Sequence, residues 1–235
     1  MKHIVLFSGG VQSSYVAALI AKEYPKDVIL LFHDTLTEPV DNDRFRKEVA
    51  DYIGLPITKQ SDGRDIWQLF DDKGFLGNNR VPICSYKLKV EQGLKFYKQL
   101  DEPFIIYYGF SNNEYKRAQK VTARNPNLNC KFPLLERRIH KDTCIRTIVH
   151  EWNICLPEMY THLHHANCLP CVRGGKAYWT KIYRHYIDAY NRAVEAEEYY
   201  GYTIMPNISL TEFAETIGDD IQEEFDNTLP CICSV

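Results

Sequence analysis

The sequence predicts an α/β protein built on a doubly wound, Rossmann-like parallel sheet of about five strands, with a helical C-terminal extension. Two observations carry this prediction. Short apolar runs rich in β-branched residues, typical of buried strands, occur at residues 3–7, 28–32 and 104–108. Segments with apolar residues at helical spacing lie between them, at 11–24 and 41–54. Strands that alternate with helices indicate parallel βαβ units.

The composition is that of an ordinary globular protein, with 235 residues, 45% hydrophobic and 25% charged. The net charge of -3 gives no electrostatic case for a general nucleic-acid binder, although it leaves open a local basic groove for tRNA or another nucleic acid. No apolar run reaches the ~18 residues of a membrane span, and Met1 leads directly into a strand. We therefore expect a cytoplasmic protein without a membrane partner. A homo-oligomer stays open.

A glycine-rich turn joins the first strand to the first helix. Its sequence is Phe7-Ser8-Gly9-Gly10-Val11-Gln12-Ser13-Ser14. The two glycines lack a Cβ, so the backbone there can turn sharply and come close to a ligand. The helix that follows begins with unpaired N–H groups and the positive end of its dipole, which favour an anion. The turn therefore predicts a phosphate site; the alternative is an ordinary glycine turn.

This turn resembles the Ser-Gly-Gly-x-Asp-Ser loop of the PP-loop ATP pyrophosphatases and of the phosphoadenosine phosphosulfate (PAPS) reductases, which have an adenine nucleotide alpha hydrolase-like fold. The resemblance implies that the chain binds an adenine nucleotide, ATP or PAPS. The residues implied to hold it are Ser8, Gly9, Gly10, Gln12, Ser13 and Ser14. Gln12 stands where the motif has Asp, which removes one negative charge. A role of that Asp toward Mg²⁺ is therefore not carried over, and bound Mg²⁺ stays open.

A second resemblance follows the second strand. The sequence Asp34-Thr-Leu-Thr-Glu38 is similar to the Asp-Thr-x-x-Glu element of PAPS reductase-like proteins. Ligands of open parallel sheets bind beyond the carboxyl ends of strands. We therefore expect Phe32, Asp34 and Thr35 to line the nucleotide pocket. The alternative is a polar loop with a helix cap.

A third segment, at residues 80–89, resembles the substrate-facing segment of the same proteins, with an arginine, a cysteine and a lysine in that order. Here these residues are Arg80, Cys84 and Lys87. Arg80 and Lys87 would hold phosphate or sulfate oxygens, arginine in a bidentate manner. Otherwise they are solvated charges at the start of a helix, which is what we expect of Lys89.

A fourth segment, from Gly109 to Arg117, resembles the Gly-x-x-x-x-Glu-x-x-Arg loop of these proteins. Gly109 would let the nucleotide approach the strand end, and Arg117 would offer its guanidinium to the phosphates. Glu114 is expected to orient Arg117 or to start a helix. With two later runs, at 133–136 and 156–160, the resemblance covers residues 3 to about 180.

The chain contains eight cysteines. Because the protein is expected in the cytoplasm, we expect them to be free thiols, metal ligands or catalytic groups rather than disulfides. Cys168-Leu-Pro-Cys171 presents two sulfurs on one side of a turn, as half of a metal site or as a redox pair. The resemblance puts Cys84 near the substrate, and the tail adds Cys231. We expect these four cysteines to hold an iron–sulfur cluster. One alternative is a zinc ion held by Cys168 and Cys171 with Cys231 and Cys233; the other is that no metal is bound.

We expect residues 1–160 to form the nucleotide-binding domain and residues 161–235 a helical region packed on it. The leading function is an ATP-dependent enzyme that cleaves between the α and β phosphates and adenylates a substrate, with sulfur transfer as its purpose. In that scheme the glycine-rich turn holds the departing pyrophosphate. Arg80, Lys87 and Arg117 stabilise the charge that builds up on the phosphates.

Two alternatives stay open at this point. One is the reduction of a phosphosulfate nucleotide, PAPS or its analogue without the 3′-phosphate (APS), by a tail thiolate. The tail Leu229-Pro-Cys-Ile-Cys-Ser-Val235, however, lacks the Glu-Cys-Gly-type sequence of such reductases. The other is a non-catalytic nucleotide sensor in which Gln12 marks lost catalysis.

Overall fold

The computed structural model describes residues 1–218 and contains one five-stranded parallel sheet. The strands are β1 (Lys2–Leu6), β2 (Val28–Asp34), β3 (Ile57–Ser61), β4 (Phe104–Tyr107) and β5 (Cys130–Lys131). Their order across the sheet is β3-β2-β1-β4-β5, and every neighbouring pair is parallel. The chain therefore moves outward from β1 in one direction and then returns to continue on the other side. The predicted doubly wound parallel sheet is confirmed.

Helices connect the strands and cover both faces of the sheet. The helices before β4 are α1 (Val11–Glu23), α2 (Asp41–Ile53), α3 (Ile66–Lys73), α4 (Ile83–Ser85) and α5 (Glu91–Tyr97). A π-helical turn, Tyr86–Val90, joins α4 to α5 into one continuous helix. The helices after β4 are α6 (Tyr115–Arg124), α7 (Pro133–Glu136), α8 (Lys141–Arg146), α9 (Lys176–His185), α10 (Ile187–Tyr200) and α11 (Leu210–Glu215).

The apolar pattern of the strands explains how the layers form. Ile4 and Val5 are adjacent in β1 and both fully buried, so this strand is covered on its two faces. On one face Val5 packs in a cluster with side chains of α1, α2 and α8. On the other face Ile4 packs with Phe96 of α5 and Val121 of α6. The sheet is thus the middle layer of three.

A third apolar cluster forms away from the sheet. It joins α3 and residues 76–88 to the C-terminal helices α9, α10 and α11, with Trp179 fully buried at its centre. One helix was expected over residues 174–201, but the chain breaks at Tyr186 into α9 and α10. The predicted capping box at the start of α11 is present, since Ser209 and Glu212 bond each other's backbone amides. The domain boundary at residue 160 stays a prediction.

Some predicted features lie outside the described residues. These are Cys231, Cys233 and the acidic stretch at residues 219–226. Within residues 1–218, no helix is both long and apolar enough to cross a membrane.

Candidate functional site

A cleft opens at the carboxyl ends of β1 and β4, where the strand order reverses. In doubly wound sheets this is the place where ligands bind. The cleft holds about 820 Å³ of space, solvent at its mouth included. Of the predicted site residues, those that line it are Ser8, Gly10, Gln12, Ser13, Gly109 and Arg117. His33, within the run of residues 32–35 that the sequence suggested for the pocket, also lines it. Residues that were not predicted to line it include Lys89, Tyr108, Phe110, Tyr160, His165 and Asn167.

The glycine-rich turn forms the floor of the cleft and directs the start of α1 into it. Gly10 is the N-cap of α1, and no side chain caps the helix there. The Ser13 hydroxyl donates to the Gly10 carbonyl at 2.9 Å and lies 3.1 Å from the Ser8 hydroxyl. The Val11 amide donates to the Tyr160 hydroxyl at 3.3 Å. The helix start thus faces the cleft with small polar groups and with no acidic residue in its first turn.

Two glycines of the site are required by close packing of the protein on itself. Gly9 has a φ of 79°, and a Cβ there would meet the Cγ of Arg46 at 2.7 Å. A Cβ on Gly109 would meet the backbone nitrogen of Ser13 at 2.7 Å. Gly109 therefore lets the end of β4 lie directly against the first turn of α1. Gly9 turns the backbone beneath Arg46, so its missing side chain leaves room for that arginine.

One wall of the cleft is a hydrogen-bonded series formed by Gln12, Glu114 and Arg117. The Gln12 amide nitrogen donates to Glu114 Oε2 at 3.0 Å. The other oxygen of Glu114 accepts from Arg117 Nη1 at 2.6 Å. Glu114 also accepts from the Ser111 amide at 2.9 Å, which completes a capping box before α6. Glu114 therefore both orients Arg117 and starts the helix, as expected.

Arg117 is held over the Phe110 ring, with its guanidinium carbon 4.2 Å from the ring centroid. Burial lowers the pKa of Arg117, and the charge of Glu114 opposes that shift. Gln12 fits this wall because its amide is a donor toward Glu114. An aspartate at the same position would instead bring a second carboxylate toward Glu114.

The opposite wall is a buried ionic cluster assembled from distant segments. Lys89, which is only 8% exposed, lies with its amine 3.6 Å from Glu38 Oε1. Glu38 Oε2 accepts from Arg46 Nη1 at 2.5 Å, and Arg46 stacks on Phe32 with 3.9 Å from guanidinium carbon to ring centroid. The expectation that Lys89 is solvated is wrong. Lys89 lies in the π-helical turn Tyr86–Val90, whose buried residues are Leu88 and Lys89, so its side chain points inward.

The pKa of Lys89 is raised. Burial acts to lower it, but the charge of Cys168, when that thiol is ionised, and the charge of Glu38 outweigh the effect of burial. Lys89 is therefore a charged amine at neutral pH, inside the protein and facing the cleft. His33 lies beside it, and burial lowers the pKa of His33 to about 4, with Lys89 adding to the shift. His33 is therefore neutral at pH 7, and its buried Nε2 has no hydrogen-bond partner among residues 1–218.

Comparison with known protein families identifies the family to which the chain belongs. Residues 2–125, which include β1 to β4 and both walls of the cleft, match the phosphoadenosine phosphosulfate reductase domain. The chain belongs to this family. The predicted PAPS reductase-like resemblance is thereby confirmed, and a nucleotide such as PAPS is the kind of substrate this family takes. A search of curated proteins found no match.

In this PAPS reductase-domain protein, three of the four predicted metal ligands lie together behind Lys89. The pKa of each thiol is raised chiefly by burial, for Cys84 to about 12 and for Cys171 to about 11. The charges of Cys171 and Cys168 raise the pKa of Cys84 further. Cys168 Sγ lies 3.2 Å from the Thr35 hydroxyl, and the Leu169 amide donates to the Thr37 carbonyl at 3.0 Å. The Cys-x-x-Cys turn is therefore docked on the loop after β2.

These thiols do not form a complete metal site in the part of the chain that the structure describes. No group of three or more His, Cys, Asp or Glu side chains in residues 1–218 is arranged to hold a metal ion. The fourth predicted ligand, Cys231, lies outside these residues. All six cysteines of the described part are free.

Several predicted site residues lie away from the cleft. Arg80 is exposed, beside the chain at residues 203–207. Lys87 pairs with Glu91 at 2.6 Å on the helix surface, because the π-helical turn directs Lys89 inward in its place. The structure therefore brings Arg117 and Lys89 to the cleft, but neither Arg80 nor Lys87.

The residues predicted after β2, and Ser14, support the cleft from behind. Phe32 lies under Arg46, and Thr35 contacts Cys168. The Asp34 carboxylate accepts from the Leu36 amide at 2.9 Å and pairs with Lys59. Ser14 is fully buried on α1. The residue of this strand that does line the cleft is His33, which alternates with its neighbours and points to the other face of the sheet.

Proposed function

We propose that the cleft binds an adenine nucleotide through its phosphate or sulfate groups, and that the protein is an enzyme acting on that end of the nucleotide. One observation carries this proposal. Two cations, the buried Lys89 and the partly buried Arg117, line the cleft from its two walls, beside the start of a helix that has no acidic residue in its first turn. Such a site attracts an anion more strongly than a surface site does, because buried charges are poorly screened.

The proposed reaction is cleavage of ATP between the α and β phosphates, with transfer of the adenylyl group to an acceptor. Pyrophosphate would leave into the turn formed by Ser8, Gly10 and Ser13, where the start of α1 stabilises its charge. Lys89 and Arg117 would stabilise the charge on the phosphate oxygens from two sides. In this proposal Lys89, rather than Lys87, is the lysine that stabilises the charge on the phosphates.

A magnesium ion, if it takes part, would come with the ATP phosphates. The carboxylate that lines the cleft, Glu114, is already bonded to Gln12, Ser111 and Arg117. Gln12 offers no carboxylate where the motif has one. We therefore assign no step of the reaction to a metal held by these residues.

The family and the three thiols behind Lys89 support a second candidate, the reduction of a phosphosulfate nucleotide. A thiolate would attack the sulfur, form an enzyme S-sulfocysteine and release the nucleotide phosphate; a second thiol would then release sulfite and form a disulfide. The raised pKa values of Cys84 and Cys171 keep these groups protonated at pH 7, and a thiol is a weak nucleophile. We therefore place adenylation first. A cleft that binds nucleotide without reaction would be the sensor.

Wild-type protein tested with ATP and with PAPS separates these proposals. Calorimetry measures binding, exchange of labelled pyrophosphate into ATP reports adenylation, and thiol-dependent sulfite release reports reduction. We expect ATP binding and pyrophosphate exchange, both weakened at least tenfold by Lys89→Met, with Lys87→Met as the matched control that leaves them unchanged. Sulfite release without exchange would establish the reductase instead, and binding without either reaction would establish the sensor. Failure to bind both nucleotides would refute the proposal.

A further inference from the structure

A strongly basic segment follows the nucleotide cleft along the chain. Residues 115–147 contain nine lysines and arginines against two acidic residues, in a chain whose net charge is -3. The rest of the chain is therefore acidic as a whole. Such a local excess of one sign is the electrostatic footprint expected of a surface that binds a polyanion.

The structure shows how this segment is displayed. Lys116, Lys120 and Arg124 are spaced four residues apart on α6, so they project from one side of the helix, and all three are exposed. None of the three forms a salt bridge with an acidic residue of the described chain. We call these three residues the α6 stripe. It is a row of cations that the protein itself leaves uncompensated over residues 1–218.

An apolar groove lies beside the stripe, between α6 and α7. Its lining includes Tyr115, Ala118, Thr122, Phe132 and Leu135, with Glu136 and Arg138 also contributing. Tyr115 is 61% exposed at the start of α6, so its ring is accessible beside the groove. Proteins that bind single-stranded nucleic acids combine a row of cations, which contact the phosphates, with an exposed aromatic ring, on which a base stacks.

The position of the stripe connects it to the cleft. Arg117, which lies between Lys116 and Lys120 on the same helix, lines the nucleotide cleft. Asn112, just before α6, lies 3.3 Å from His140, which precedes α8 and its cations. A strand lying along the stripe would therefore pass the mouth of the cleft.

We propose that the α6 stripe and the adjoining groove bind a single-stranded phosphodiester chain, DNA or RNA. Its phosphates would lie on Lys116, Lys120 and Arg124, and a base would stack on Tyr115. This binding site is separate from the nucleotide cleft and does not depend on the reaction proposed for it.

The test is fluorescence anisotropy of the full chain with labelled 20-nucleotide DNA and RNA of mixed sequence, and with inorganic polyphosphate, over a range of salt concentrations. We expect binding to both nucleic acids that weakens as salt rises. The triple variant Lys116→Gln/Lys120→Gln/Arg124→Gln should bind at least tenfold more weakly and lower the slope of log Kd against log salt by about 2, since each phosphate contact contributes about 0.7. Tyr115→Leu should weaken nucleic-acid binding at least fivefold and leave polyphosphate binding unchanged.

The matched control removes three exposed lysines that precede β2 and β4, with Lys22→Gln/Lys26→Gln/Lys98→Gln. It makes the same change in net charge and should leave binding within about twofold of wild type. Equal losses in the two triple variants would overturn the proposal, because binding would then follow net charge alone. So would the absence of nucleic-acid binding at low salt, or a preference for inorganic polyphosphate over both nucleic acids. Circular dichroism shows that each variant is folded. ATP binding by the stripe variant is measured alongside. Weakened nucleic-acid binding with unchanged ATP binding shows that the stripe is separate from the cleft.

Discussion

The two walls of the cleft each present one cation, but they are built in different ways. The cation of the α6 wall is held locally, because Arg117 pairs with Glu114 three residues away, and Glu114 is fixed by its capping box with Ser111. The Lys89 wall takes its charges from the loop after β2, from α2 and from a π-helical turn. We expect the α6 wall to be less sensitive to substitutions in distant segments than the Lys89 wall, which needs several segments in place at once. Five changes test this difference, from the largest expected effect to the smallest.

Glu38→Leu should be the most destabilising change, because it leaves Lys89 and Arg46 buried without the carboxylate that they share. Removing one partner of a buried ion pair costs about 3–5 kcal/mol. Urea denaturation measures the free energy of unfolding. Glu48→Leu is the control, since Glu48 pairs with Arg44 where both are partly exposed, and it should cost less than about 1 kcal/mol. Similar losses would show that the Lys89 wall is not a buried cluster.

His33 makes the Lys89 wall sensitive to acid. Its folded pKa of about 4 lies below the ordinary value of 6.5, so neutral His33 stabilises the fold above pH 6.5 and this contribution is lost as the pH falls toward 4. From pH 7 to pH 4.5 the free energy of unfolding should fall by about 2.5 kcal/mol from this group. His33→Asn should remove that part of the slope. His164→Asn, at an exposed position, should not; an unchanged slope in His33→Asn would contradict the assignment.

Lys89→Met and Arg117→Met remove one cation from each wall. Each should weaken ATP or PAPS binding by about 10- to 100-fold, because a hydrogen bond to a charged group contributes about 1.5–3 kcal/mol. Because Lys89 pairs with Glu38 whereas Arg117 pairs with Glu114, the double variant should show the product of the two losses to within about twofold. Calorimetry at one salt concentration measures all three variants. A strongly non-additive double variant would mean that the two walls act as one unit.

Gly9→Ala and Gly10→Ala test two parts of the glycine-rich turn. Gly9 packs against Arg46 of the Lys89 wall, whereas Gly10 lines the cleft where the nucleotide would bind. Ala at position 9 adopts a strained φ and pushes against Arg46, so we expect a loss of about 1–2 kcal/mol in stability. At position 10 the nearest atom to a Cβ is the Tyr160 hydroxyl at 3.6 Å, so stability should change little. Gly10→Ala should instead weaken nucleotide binding, since Gly10 lines the cleft. The reverse pattern in thermal melts and calorimetry would refute the geometry of the turn.

Gln12→Glu tests the α6 wall with an isosteric change. It brings a second carboxylate against Glu114, and we expect nucleotide binding to weaken about tenfold, or ~1.4 kcal/mol, because Arg117 is drawn away from the ligand. Gln12→Glu/Glu114→Gln restores a donor–acceptor pair in the opposite direction and should recover most of the affinity. If the double variant binds no better than the single one, the Gln12–Glu114 contact does not position Arg117.

The sequence by itself determined the parts of this protein whose signals are local. Alternating strands and helices predicted the parallel sheet. The turn at residues 8–14 and the loop at residues 109–117 predicted the cleft floor and the α6 wall, because each functional group lies within a few residues of the strand end that positions it. The Cys-x-x-Cys turn was visible for the same reason.

Only the tertiary structure decided which cation forms the opposite wall. Arg80, Lys87 and Lys89 lie in one basic segment, and nothing in their order distinguishes them. Lys89 lies inward in a π-helical turn, and Glu38, which is 51 residues away along the chain, stabilises its charge there. Whether a lysine is solvated or buried depends on partners brought to it by folding, because a buried amine stays charged only where opposite charges offset its lost hydration.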